Sequence, residues 1–120
     1  MNINTLHLVL ESKWYNMISA GIKREEYRDI KPFWTKRIAR FCSSCRINGY
    51  YKKCPIVNFT GNSNKSVCCK FNRVCFHRGY TSTTMTLSVI GVSIGQGKTE
   101  WGAEPSKKYY IIHLGDIITK

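Results

Sequence analysis

Between Ile30 and Lys98 the sequence contains no aspartate or glutamate. It also lacks any long apolar run. Stretches such as Leu8 to Leu10 and Tyr109 to Ile112 fall far short of the roughly 20 residues a spanning helix requires, so a membrane-spanning protein is not expected. The start lacks the basic-then-apolar order of a secretory signal, because Thr5 to Leu10 is interrupted by His7 and followed by Glu11 and Lys13. The expected location is therefore the cytoplasm. No internal repeat is visible, which argues against a solenoid or propeller.

What is there suits a globular chain. With 120 residues and 42% hydrophobic side chains, one domain spanning residues 1–120 has enough apolar surface to bury a core. The net charge is +12, and its distribution is uneven. The acid-free middle carries Lys31, Lys36, Arg37, Arg40, Arg46, Lys52, Lys53, Lys65, Lys70, Arg73, Arg78 and Lys98, while the rest of the chain is neutral. Such self-repulsion is relieved by a polyanion, so RNA or a nucleotide is the expected partner. A solvated basic face that only aids solubility gives the same composition.

Thr5 to Leu10 reads as a strand with Leu6, Leu8 and Leu10 on one face. Ser12 is the expected N-cap of a helix ending near Ala20, with Trp14, Met17 and Ile18 as its buried stripe and Gly21 as its stop. A short strand is expected over Lys23 to Asp29. Pro32 suits the first turn of a second helix, which has Phe33, Arg37 and Arg40 on one side and Trp34, Ile38 and Phe41 on the other. Residues 42–71, with five of the six cysteines and no clear period, read as a basic, Cys-rich insertion or long loop. Strands resume over Arg73 to His77 and Met85 to Ile94. The last runs from Lys108 to Leu114, with Gly115 expected to end it. This order predicts an α+β fold, a small β-barrel flanked by two N-terminal helices.

Gly21-x-Lys23-x-x-Glu26-x-Arg28 concentrates charge just after the first helix. On a strand, Lys23, Glu25 and Tyr27 would share one face and Arg24, Glu26 and Arg28 the other. A carboxylate between cations orients them and leaves donors for a phosphate or base edge. A salt-bridged edge strand has the same pattern. Trp34 and Trp101 suit stacking on a base as well as a place in the core. Trp14 is expected in the core, and His7 and His113 are expected to be structural.

The segment resembles the GxKxxExR signature of ASCH domains, whose fold is a PUA-like β-barrel. Further pieces follow in the family's order: Trp34 and Arg37, then Val74 to Tyr80, Gly95-Gln96-Gly97, Glu100-Trp101-Gly102 and Tyr110 to Gly115. The resemblance implies a cleft between barrel and helices lined by Gly21, Lys23, Glu26 and Arg28, with Trp34, Arg37, Arg78 and Trp101 as further binding residues. It implies RNA or nucleotide binding. Some members of the family are amidohydrolases acting on acetylcytidine through a Lys, a Thr and a Glu. Lys23 matches the Lys, Glu26 stands where the Thr is expected, and Glu100 is a candidate for the later carboxylate. Others resemble ribonucleases. On the enzymatic alternative, Lys23 and Glu26 would be the catalytic pair for proton transfer. The third reading is a protein-interaction module that docks an acidic partner.

No cofactor is expected. Cys42-x-x-Cys45 has half a zinc knuckle's spacing, but no second such pair follows, and Cys68 and Cys69 are adjacent. Free thiols are the expectation. If zinc is bound, Cys42, Cys45, Cys54 and Cys68 are the first candidates, with Cys69, Cys75 and His77 also in reach.

Overall fold

Alternating leucines build the first strand, β1 (Thr5–Leu10), where Leu8 and Leu10 are buried and His7 and Val9 are exposed. The structure is a computed structural model describing residues 4–38, 65–67 and 71–120. Helix α1 (Ser12–Ser19) follows at once, with Glu11 rather than Ser12 in the N-cap position. Its buried residues are Tyr15 and Ile18, while Trp14 and Met17 are half-buried. The buried stripe is thus turned by about one residue from the one expected.

Gly21 ends α1 as expected. Its φ of 78° lies in the left-handed region, where glycine carries no Cβ penalty. The Ile22 N–H donates to the Met17 carbonyl (2.9 Å) and the Gly21 N–H to that of Ile18 (3.0 Å), a Schellman closure. The Lys23 N–H also reaches the Met17 carbonyl, so β2 (Glu25–Asp29) starts only two residues later. Helix α2 (Pro32–Ile38) begins on proline, buries Ile38, half-buries Trp34 and exposes Phe33 and Arg37. Arg40 and Phe41, assigned to the same helix from sequence, lie outside the described residues.

The remaining strands are β3 (Lys65–Val67), β4 (Arg73–Arg78), β5 (Thr84–Gln96) and β6 (Lys108–Thr119). They join the first two in one mixed sheet of order β1-β4-β5-β6-β2, curled into a half-barrel. β1 runs parallel to β4, and β3 pairs with the second half of β5. β3 is a strand within the segment expected as a loop; apart from it and Phe71, the expected insertion lies outside the described residues. Leu6 and Leu8 pair with Val74 and Phe76, which pair in turn with Leu87 and Met85, so one face stays apolar across three strands. These side chains, with Tyr15, Ile18, Ile38, Tyr110, Ile112 and Leu114, form the main core.

β5 and β6 curl through register shifts between Thr86 and Gly91. Such irregularities increase local twist and bend a strand. Met85, Leu87 and Val89 belong to the main core before these shifts, and Val92, with Ile94 packed against it, belongs after them, which explains the two-sided apolar pattern of the strand's sequence. Gly115 does not end the last strand; β6 continues to Thr119. A Cβ at Gly115 would overlap the Ser88 Oγ, which accepts the Asp116 N–H at 2.9 Å. The glycine serves a close approach between strands rather than a turn.

Candidate functional site

β1 and β2 stand at opposite ends of the strand order, and among the described residues no ladder joins them. Their edges border the opening of the half-barrel. A cavity of about 410 Å³ lies there, lined by residues of β1, α1, β2, α2 and the loop before β6. Arg28 reaches across from β2, its Nη2 directed at the Val9 carbonyl of β1 at 3.5 Å.

The charged motif forms the base of this cleft. Lys23 precedes the strand, so its side chain does not follow the alternation expected of it. Lys23 is only 1% exposed and its Nζ donates to Glu26 Oε1 (2.7 Å) and the Glu25 carbonyl (2.6 Å). The ammonium also lies 5.0 Å from the Tyr27 ring centroid and 5.5 Å from that of Trp14. Burial lowers its pKa, and the charge of Glu26 and its hydrogen bond oppose that shift. Arg28 binds the other carboxylate oxygen, Oε2, and its Nη1 also donates to the Tyr27 carbonyl at 2.7 Å. Glu26 is therefore held from two sides by cations. A buried carboxylate so paired is an anchor for Arg28, with a cation on each of its oxygens.

Aromatic side chains supply the walls. Trp14, Trp34, Trp101, Tyr27 and Tyr109 all border the cavity, with Glu11 at its rim. Each tryptophan carries a cation: Lys13 Nζ lies 4.6 Å from the Trp14 ring, the Arg28 guanidinium 5.2 Å from Trp34, and Lys98 Nζ 4.4 Å from Trp101. Trp101 sits in a single 3-10 turn (Thr99–Trp101) whose loop is tied down by two tyrosine hydroxyls. Tyr27 Oη accepts the Lys98 N–H at 2.9 Å, and Tyr109 Oη accepts the Glu104 N–H at 3.0 Å. Tyr27 Oη also donates to Glu25 Oε1 at 2.7 Å, and burial raises its pKa far above the usual phenol value. Gly102, with φ 101°, faces the Trp14 ring, where a Cβ would approach to 3.1 Å.

Of the residues expected at the site, Glu26, Arg28, Trp34 and Trp101 line the cavity. Lys23 lies behind Glu26, in contact with it but not among the lining residues. Gly21 is exposed at the end of α1. Arg37 is also exposed, folded back over Phe33 with its guanidinium 3.6 Å from the ring centroid. Arg78 ends β4 opposite Leu10, and Glu100 is exposed; neither lines the cavity. Cys42, Cys45, Cys54, Cys68 and Cys69 lie outside the described residues.

Sequence reasoning missed Trp14, Tyr27 and Tyr109 as wall residues. Trp14 packs against the core as expected but also borders the cleft. Tyr27, adjacent to both Glu26 and Arg28, carried the clearest signal. Tyr109 carried none, since it sits in an apolar strand pattern. No protein-family model, curated protein or solved structure matches the chain.

Proposed function

We propose that this chain is an RNA- or nucleotide-binding module of the ASCH, PUA-like type, and that its ligand enters the opening between β1 and β2. The observation that carries the reading is the meeting of three tryptophans with a guanidinium fixed by Glu26 in one cleft. Flat aromatic walls suit a nucleobase, since stacking on a side chain is worth about 1–3 kcal/mol per base. Arg28 makes three contacts with its five N–H donors, which leaves donors for a phosphate or a base edge. The order of Lys23, Glu26 and Arg28 in the sequence supports the family assignment, because the three form one ion-pair array.

Binding is favoured over proton transfer by the state of Glu26. Its two oxygens bind Lys23 and Arg28, which ties the carboxylate to holding those cations in place. The test is fluorescence anisotropy with a labelled single-stranded RNA at low and moderate salt. The expected result is saturable binding that weakens steeply with salt, and by roughly 5- to 100-fold in Trp101→Ala. Absence of binding to RNA and to mononucleotides at low salt would overturn the reading.

A further inference from the structure

On the other side of β1 from its leucines lies a second group of reactive side chains. The parallel register sets His7 of β1 directly beside Cys75 of β4. His77 follows Cys75 by two residues and so shares its face. Pairing alone brings His7 to the other two, across a separation of 68 positions from Cys75 that keeps it out of any local motif with them.

Their donor atoms converge. His77 Nε2 lies 3.0 Å from His7 Nδ1 and 3.8 Å from Cys75 Sγ, and all three donor atoms lie within 4.8 Å of one another. A tetrahedral ion with ordinary zinc–nitrogen and zinc–sulfur bonds separates two nitrogens by about 3.3 Å and nitrogen from sulfur by about 3.6 Å. The His7–His77 and His77–Cys75 separations differ from those values by only about 0.2–0.3 Å. The neighbours that strand pairing sets on this face, Thr5, Val9, Arg73, Thr84, Thr86 and Ser88, bring no carboxylate, and the Arg73 guanidinium is their one charged group. A hard cation such as calcium or magnesium therefore finds no suitable ligands, whereas a thiolate with two imidazoles suits a borderline or soft one. His7 is exposed and His77 half-buried, which gives an ion access, while Cys75 is buried and held in place.

We propose that His7, Cys75 and His77 form a binding site for a divalent transition cation of the zinc class. The Cys75 thiol gives up its proton to solvent on binding, and the two imidazoles bind as neutral ligands. Three protein ligands leave a fourth position for water or another ligand. None of the three ligands lines the cleft, and the proposal does not rest on what the cleft binds.

Cobalt(II) is the probe, added to chelator-treated, reduced, full-length protein. The expected result is a thiolate-to-cobalt charge-transfer band together with visible bands of tetrahedral intensity, both abolished by added zinc. These bands persist when Cys42, Cys45, Cys54, Cys68 and Cys69 are all replaced by serine, and in that background Cys75→Ser abolishes the charge-transfer band. His7→Ala changes an exposed position; with folding verified by circular dichroism, it weakens cobalt binding by at least about tenfold. The proposal is overturned if no bands appear. It is equally overturned if the bands survive both Cys75→Ser and His7→Ala, or if they vanish with the five serine replacements in a chain that remains folded.

Discussion

Glu26 decides the energetics of the motif because two cations depend on it. Removing it leaves the Lys23 ammonium buried without its carboxylate, so Glu26→Ala is expected to cost about 3–5 kcal/mol. Lys23→Met leaves Glu26 paired with Arg28 and is expected to cost less. Urea denaturation of the two variants checks the order, and equal losses would contradict it. A second group gives a pH signature. His113 is largely buried, its Nε2 is 2.8 Å from Ser93 Oγ, and burial lowers its pKa from 6.5 to about 4. Between those values the unfolded chain binds a proton that the folded chain does not. Stability is therefore full above about pH 6.5 and falls as pH drops toward 4, by up to about 3 kcal/mol from this residue. Denaturation midpoints across that range are expected to fall less steeply in His113→Gln than in the parent chain; identical slopes would refute the assignment.

At the scale of elements, the helices and strands were largely legible because hydrophobic periodicity and glycine chemistry act locally. Leu6, Leu8 and Leu10 announced β1, Pro32 the start of α2, and Gly21 the end of α1. Gly21→Ala should cost about 1 kcal/mol, since its φ of 78° disfavours a Cβ although the surrounding space is open. Gly115 misled, because its role depends on Ser88, a residue of the neighbouring strand that no local pattern reveals. Gly115→Ala should cost more, about 1–3 kcal/mol, through the forced separation of β5 and β6. The loop that carries Trp101 is likewise held by distant partners. Tyr27→Phe removes the acceptor of the Lys98 N–H, and is expected to cost about 1–2 kcal/mol and to weaken ligand binding without touching Trp101. Thermal unfolding and the anisotropy assay together measure both effects.

For the molecule as a whole, the charge asymmetry and the cleft belong to one account. The sequence carries a net charge of +12, and each tryptophan of the cleft bears a lysine or arginine against its ring. The triad Lys23, Glu26 and Arg28 was legible as a motif, yet its division of labour was not. Burial sends Lys23 beneath the site, and only the fold shows that Arg28 crosses the open side of the half-barrel. Cys75 and His77 were legible as candidate ligands, but their meeting with His7 was not, because parallel pairing of β1 and β4 cannot be read from either strand alone.

The protein's three tryptophans all border the cleft, so their indole N–H signals report directly on its occupation. Proton–nitrogen correlation spectra during titration with a short single-stranded RNA therefore test the central claim. All three signals are expected to shift together and saturate with one binding constant. RNA that binds while the three signals stay in place would contradict the account.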